Sequence, residues 1–410
     1  MTSSPDRRSS GMPTVTMIGG GQLARMTHQS AIALGQCLRV LAGSADEPAA
    51  QVSANVVLGS HDDLDALRAA AEGAVALTFD HEGVPLAHLE ALEAEGVAVR
   101  PPSKALHFAQ DKLAMRTKLS ELGLPVPDFV DLSGEVGAAR SALIAFGESH
   151  DWQVVLKAVR GGYDGRGVWL TDNRDEALRV FDDTSSGDTV LMAEQKVAMV
   201  RELSAMVARS PYGQGAAWPV VETVQRNGQC AVVLAPAPGL DADVAQQAQQ
   251  MSLTLAEELG AVGAMAMELF ETTDGELVVN ELAMRPHNSG HWTMDGAVTS
   301  QFEQHLRAVL DYPLGDTAAR ADVVVMANIL GAPEAPQMSM DERLHHLFAR
   351  MPEAKVHLYG KGERPDRKIG HVNVVGRPGE GVDDVRERAE RAAQWMSAAV
   401  WTDGWDPHAG

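Results

Sequence analysis

Between residues 14 and 99, short apolar runs alternate with amphipathic helical stretches, and that alternation predicts a parallel, doubly wound α/β sheet. The runs are Thr14–Ile18, a second from Leu38, Val56–Leu58, Val75–Phe79 and Val97–Val99; helices are expected to open in Gly19–Ala24 and run toward Leu34, and to lie over 62–72 and over 85–95. The first run enters Gly19-Gly-Gly-Gln-Leu-Ala24, a Gly-x-Gly-x-x-Ala turn of the dinucleotide-binding type. Such a site also wants an acid at the end of the second strand. Leu38-Arg-Val-Leu-Ala-Gly-Ser44 ends without one, and Asp46 comes later, so a nicotinamide-dependent oxidoreductase is the weaker reading. Gln22 sits in the first helical turn, where the dipole favours an anion or polar ligand; the alternative is a plain helix-start residue. Asp80-His-Glu82 follows the fourth run, at the carboxyl edge where open α/β sheets bind ligands. That placement favours a functional Glu82, with Asp80 and His81 as capping and loop residues.

A chain of 410 residues allows two to four domains of ordinary size. The formal charge of -22 argues against a broad grip on nucleic acid, which needs many lysines and arginines to release counterions. No run approaches the roughly 18 apolar residues that span a bilayer, so no membrane partner is expected. Cys37 and Cys230 have no metal spacing and suit a reducing cytoplasm. Residues 1–12 read as a disordered tail, since no apolar segment follows Arg7-Arg8 before the first strand.

Pro101-Pro102 marks a domain boundary, and Ser103 begins a predicted long helix to Leu122 that carries Lys112. A helix over 135–146 leads to Gln153-Val-Val-Leu156, then to Lys157-Ala-Val-Arg-Gly-Gly-Tyr-Asp-Gly-Arg-Gly-Val168. Apolar character resumes at Val168, so the glycines cap a hairpin. With Lys157 at its base, the loop reads as a flap over phosphate; it is not a Walker loop. A solvated glycine turn is the alternative. Thr189–Glu194 is a strand ending on a carboxylate, and Gln195-Lys-Val-Ala-Met-Val-Arg201 links it to a strand from Glu202. A nucleotide crevice is expected there, or else an ordinary loop.

Ala264–Thr273, Asp274-Gly275 and Glu276–Leu282 read as a hairpin, because Asp-Gly is the favoured type I′ pair. Counting outward from Thr273 opposite Glu276 sets Glu268 directly against Glu281. Like charges so opposed are destabilising unless a hard cation lies between them. Magnesium is expected, since it takes one or two carboxylates plus substrate phosphates; a register slip would separate the pair. The loop after this strand carries Arg285, His287, Asn288 and His291, a fixed cation and directional donors suited to orienting a small anion. Further on, Lys361, Arg364, Arg367 and Lys368 form a basic turn in an acidic chain, a candidate phosphate site. A helix over 300–310, strands over 321–330 and 355–359, and a last helix over 383–400 complete the reading.

The order resembles the ATP-grasp superfamily. Gly19–Met26, Gly161–Gly167, Asn280–Trp292 and Arg364–His371 are most similar to the 5-(carboxyamino)imidazole ribonucleotide synthetases of purine biosynthesis, over about residues 13 to 395. The resemblance implies an ATP-grasp fold, α/β and α+β, divided as a tail 1–12, a Rossmann-like pre-ATP-grasp domain 13–105, an ATP-grasp domain 106–298, a β-rich C-terminal domain 299–398 and a loose tail 399–410. It implies a carbon–nitrogen ligase: ATP phosphorylates bicarbonate to carboxyphosphate, and the amine of 5-aminoimidazole ribonucleotide takes the carboxyl group. By the same resemblance Lys112 and Lys157 hold ATP phosphates, and Gly162, Tyr163, Asp164, Gly165, Arg166, Gly167 and Val168 cover them. Glu194, Gln195, Lys196 and Val197 line the adenine, Glu202 takes the ribose, and Gln225, Asn280 and Glu281 complete the ATP site. Glu268 and Glu281 hold magnesium; Arg285, His287 and Asn288 position bicarbonate. Gln22, Glu82, Tyr163, Asp164 and Arg166 meet the ribonucleotide, with Lys361, Arg367 and Lys368 at its phosphate. A cytoplasmic homodimer and a separate downstream carboxylase-mutase are implied too. Lys112, Asp80, Met284, Gln225 and Asp366 stand where arginine, glutamate, proline, histidine and glycine are common. Alternatives are a formate-dependent glycinamide ribonucleotide transformylase, a biotin carboxylase, or a non-catalytic ATP-binding relative.

Overall fold

The computed structural model describes residues 11–162, 165–185, 187 and 189–405. β1 (Thr14–Ile18), α1 (Gln22–Ala33), β2 (Cys37–Ala42), β3 (Val56–Leu58), α2 (Leu64–Ala71), β4 (Ala76–Phe79) and α3 (Leu86–Ala94) form a parallel sheet of order β3-β2-β1-β4 with its helices. The expected run at 97–99 contributes only a parallel bridge, Val99 to Leu77. At the first turn the chain supplies its own anions. Gly20 N–H donates to Glu47 Oε2 at 2.9 Å, while Gly21 and Ala24 N–H donate to Asp80 at 2.8 Å each. A Cβ on Gly21 would lie 2.1 Å from Asp80 Oδ2. The amides that would cradle a pyrophosphate are thereby filled, and Asp80 caps α1.

The helix expected over 103–122 is two helices, α4 (Ser103–Gln110) and α5 (Lys112–Glu121). Asp111 between them is extended, and its Oδ1 accepts the Ala114 N–H at 2.9 Å. Aspartate is a strong N-cap, so the helix restarts here and presents Lys112 at its first position. Asp111 Oδ2 also accepts from Arg160 Nε at 2.9 Å, tying α5 to the base of the flap.

β5 (Phe129–Asp131), α6 (Val136–Ser149), β6 (Val154–Ala158), β7 (Val168–Thr171), α7 (Arg174–Ser185) and β8 (Leu191–Gln195) build an antiparallel sheet of order β5-β8-β6-β7. Leu143, Leu156 and Phe181 fill its core with the two helices. β6 and β7 are the predicted glycine hairpin, with Lys157 opposite Val168.

The central sheet begins with β9 (Met199–Arg209), β10 (Gly215–Ala217), β11 (Val221–Arg226), β12 (Gln229–Ala235), α8 (Ala242–Glu258), β13 (Gly263–Thr272) and β14 (Leu277–Ala283). It continues through α9 (Thr293–Gly296), α10 (Gln301–Val309), β15 (Val324–Leu330), α11 (Met340–Arg350), β16 (Lys355–Leu358), β17 (Lys368–Val375) and α12 (Val382–Ala398). Its order is β14-β13-β9-β11-β12-β15-β17-β16, with β10 on β9. β12 pairs directly with β15, so the C-terminal strands extend this sheet rather than build one of their own. Neither α11 nor β17 is expected from the sequence pattern, and β17 begins inside the basic stretch at Lys368. A single core links Phe79 and Leu106 to Leu203, Met267 and Leu282, seating the first sheet against the third.

The last segment packs where a loose tail from 399 was expected. Trp401 is 2% exposed and stacks on Trp395 with ring centroids 4.7 Å apart. The Arg350 guanidinium lies 4.3 Å over the Trp401 ring. Residues 406–410, like 1–10, lie outside the described residues. Among the described residues no helix is long and apolar enough to cross a membrane. Trp401→Ala is expected to destabilise the protein by about 3–5 kcal/mol, the cost of deleting a buried aromatic, read as a lower urea midpoint.

Candidate active site

The Glu268–Glu281 pairing is present, but the turn that was to set it is different. Gly275 N–H donates to Thr272 O at 3.0 Å and Thr272 N–H to Glu276 O at 2.9 Å, and of the central residues only Gly275 has positive φ, at 79°. The loop therefore holds three residues, 273 to 275, a common hairpin alternative with glycine in the left-handed position. Glu271 faces Leu277, one residue off the expected register. A bulge between Glu268 and Leu269 restores it, because Glu268 pairs with Glu281 while Leu269 pairs with Val279. Asn280 is the extra residue. Its Oδ1 accepts from Lys157 Nζ at 3.2 Å.

Around this pair the charges interlock. Lys112 Nζ binds Glu281 Oε1. Burial alone would raise the Glu281 carboxyl, but Lys112, Lys157 and Arg116 hold it below its ordinary value. Glu268 moves oppositely: burial, then the charges of Glu281 and Glu202, push it up to about 8. The cleft thus contains one firmly ionised carboxylate beside one short of positive charge. That donor set fits a hard cation whose remaining ligands are phosphate oxygens. No cluster of three or more metal-binding side chains occurs among the described residues.

The Glu194 side chain is held inside the protein. Its carboxylate is 2% exposed and accepts from Arg116 Nε and Lys157 Nζ, each at 2.7 Å. Its side chain therefore faces Arg116 and Lys157. Burial lowers Lys157, and Glu194 opposes that effect. Arg116 is 0% exposed and leaves Nη1 and Nη2 without a protein partner. It was missed, although it lies four residues after Lys112 and so on the same helical face. Lys196 turns outward to Asp172 at 2.7 Å; Gln195 closes β8 and Val197 lies in the strand-to-strand link. Glu202, raised by burial, accepts from Gln225 Nε2 at 3.0 Å. Across the flap, Gly162 and Arg166 close on each other's backbone, Gly165 rests against Gly228, and Gly167 leads into Val168. Tyr163 and Asp164 lie outside the described residues.

The 285–292 loop packs beside the carboxylates. Arg285 Nε donates to Glu82 Oε2 at 2.6 Å, joining two predicted residues from different sheets. His287 Nε2 lies 3.5 Å from Glu268 Oε1. Asn288 is half-buried, its two amide atoms are shielded from solvent with neither in an ordinary hydrogen bond, and it lies against the Cys230 thiol. Gln301, 0% exposed and absent from the sequence reading, clamps this loop. Its Oε1 accepts from His287 N–H and its Nε2 donates to His287 O, both at 2.8 Å. His291 is core: buried, against Phe302 and His371, and held well below its usual value by burial.

At the far end, Lys361 Nζ binds Gln22 Oε1, so the first and last sheets meet at two predicted residues. Lys368 opens β17, close enough for its charge to act on Cys230 and His291. Arg367 instead donates from Nη1 to Gly362 O at 3.2 Å within the turn. Asp366 there has φ of 59°, a left-handed position natural to glycine that aspartate tolerates.

Three family models match: "Ribonucleotide synthetase preATP-grasp domain" over residues 12–110, "ATP-grasp domain" over 117–302 and "Phosphoribosylaminoimidazole carboxylase C-terminal domain" over 324–385. An N5-carboxyaminoimidazole ribonucleotide synthase of Mycobacterium tuberculosis is 60% identical over 396 residues, covering 97% of this chain and 90% of that protein. The chain belongs to the N5-carboxyaminoimidazole ribonucleotide synthase family. The synthetase from Thermus thermophilus superposes with a TM-score of 0.81 at 35% identity, covering 96% of this chain and 100% of that one. The synthase from Aspergillus clavatus, solved with ADP and 5-aminoimidazole ribonucleotide, gives 0.82 at 29%, covering 94% and 97%. Like other synthases of this family, the chain is an ATP-dependent ligase with an ATP-grasp fold, and the oxidoreductase reading falls. Glu194→Gln leaves Arg116 and Lys157 buried without their anion; it is expected to cost about 3–5 kcal/mol in denaturant titration and to raise KM for ATP.

Proposed function

We propose that this synthase carboxylates the exocyclic amine of 5-aminoimidazole ribonucleotide, using ATP and bicarbonate and releasing ADP and phosphate. The supporting observation is full-length likeness to the synthases, combined with two lysines, two carboxylates and the Arg285–Glu82 pair gathered within electrostatic reach of one another. A bicarbonate oxygen attacks the γ-phosphorus as the bond to ADP breaks. The amine then forms its bond to the carboxyl carbon, or to the carbon dioxide released, as phosphate departs and the amine loses a proton.

Lys157, aimed by Glu194 and Asn280, and Lys112, at the first turn of α5, bring ammonium groups to the ATP phosphates. The flap from Gly162 to Val168, with Tyr163, Asp164, Gly165, Arg166 and Gly167, closes over them. The backbone of Glu194, Gln195, Lys196 and Val197 lines the adenine, and Glu202 with Gln225 takes the ribose. Glu268 and Glu281 would hold magnesium, which when bound offsets phosphate charge and orients the transferring group. Arg285, braced by Glu82, pairs with bicarbonate and its phosphorylated form, with His287 and Asn288 as directional donors. Gln22, Glu82 and the flap residues meet the ribonucleotide; Lys361, Arg367 and Lys368 meet its phosphate. By likeness to the family, the active form is a cytoplasmic homodimer whose product passes to a separate carboxylase-mutase.

The test is ADP release with bicarbonate and ribonucleotide each added and omitted. Release that needs the ribonucleotide, with labelled bicarbonate trapped in an acid-labile product, is the expected result; indifference to the ribonucleotide overturns the assignment. A second outcome concerns protons. At pH 7 a Glu268 raised to about 8 is mostly protonated, and a metal ligand must be ionised. Binding of magnesium with ATP is therefore expected to expel most of one proton, seen as buffer-dependent heat in calorimetry and lost in Glu268→Gln.

A further inference from the structure

We propose that Ser204 and Ser289 form a one-way hydrogen-bond chain that holds His287 in its Nε2–H tautomer, with that N–H turned toward the carboxylate pair. The proposal deepens the reading of His287 given above and rests on it. Ser204 and Ser289 are 0% and 1% exposed. Ser204 Oγ lies 2.8 Å from Ser289 Oγ, and Ser289 Oγ lies 2.9 Å from His287 Nδ1.

The direction of each bond follows from its neighbours. The Ser289 backbone N–H also points at His287 Nδ1, at 3.4 Å, and an N–H can only donate. His287 Nδ1 must therefore be the unprotonated acceptor, so the Ser289 hydroxyl proton is committed to it. Ser289 Oγ is left with lone pairs, and the Ser204 hydroxyl donates to them. In a neutral imidazole the remaining proton is then on Nε2, the atom 3.5 Å from Glu268 Oε1. Gln301 clamps the His287 backbone on both sides, so the serine chain acts on a ring whose mainchain is already held.

Strand register places the chain. Ser204 on β9 pairs with Glu268 on β13, which pairs with Glu281 on β14. One row across three strands therefore carries both carboxylates and the hydroxyl that starts the chain. The consequence is that His287 offers an anionic reactant a donor rather than a lone pair. Ser204 and Ser289 are positioning residues.

The direct test is nitrogen NMR of protein labelled with 15N-histidine, the His287 signals being identified by their loss in His287→Gln. Expected is a protonated Nε2 and a hydrogen-bonded, unprotonated Nδ1; a proton on Nδ1 overturns the proposal. Kinetics give an independent reading. Ser289→Ala is expected to lower kcat by about tenfold to a hundredfold, typical for loss of an orienting partner, leaving KM for ATP unchanged. Ser204→Ala should lower it less. The double variant should match Ser289→Ala alone, because Ser204 acts only through Ser289; additive losses overturn the chain. A fully active His287→Gln would remove the role assigned to His287, whereas an impaired His287→Gln beside fully active serine variants would remove the chain alone.

Discussion

Two carboxylates directly opposed across an antiparallel ladder are the constraint around which this molecule is arranged. Opposed like charges on a sheet repel, and partial burial strengthens the repulsion. Glu268 and Glu281 nevertheless pair, and the surrounding elements supply what makes this tolerable. α5 restarts at Asp111 so that Lys112 reaches Glu281; β6 delivers Lys157; α5 adds Arg116 through Glu194. Positive charge gathers around Glu281, while Glu268 stays short of it and is pushed toward its protonated form.

The same economy of charge shapes the rest of the cleft. At the first sheet, Glu47 and Asp80 occupy the amides of the glycine turn, so the turn packs a helix instead of gripping a dinucleotide. Glu82, two residues later, reaches across to Arg285. Lys361 reaches back to Gln22. These two contacts, with the shared core below them, bring the first and central sheets around one space although the chain returns to it from positions far apart.

The hairpin shows how far local rules reach. Asp274-Gly275 did mark the turn, and Glu268 did meet Glu281, yet the count that joined them contained two errors of one residue each. The three-residue loop moved the register one way and the bulge at Asn280 moved it back. Turn type depends on φ at Asp274, and the bulge on what Lys157 asks of Asn280; neither is visible in a strand pattern. The Glu194 side chain shows the same limit. A carboxylate at a strand end reads as cleft-facing, but whether its side chain meets a ligand or a buried arginine depends on α5, distant in sequence.

The residues alone determined the alternating first sheet, the flap hairpin with Lys157 at its base, and the acid-rich strands followed by a loop of donors. All are local, set by hydrophobic period, glycine placement and turn chemistry within a few residues. The residues also carried the motifs that resemble the family. Tertiary structure alone decided that the C-terminal strands join the central sheet, that Arg116 braces Glu194, that Gln301 clamps His287, and that Ser204 stands in the row of Glu268 and Glu281. These contacts join residues from 14 apart, Gln301 and His287, to 95 apart, Val232 and Ala327. Their partners are chosen by burial and sheet register, which exist only once the layers have packed.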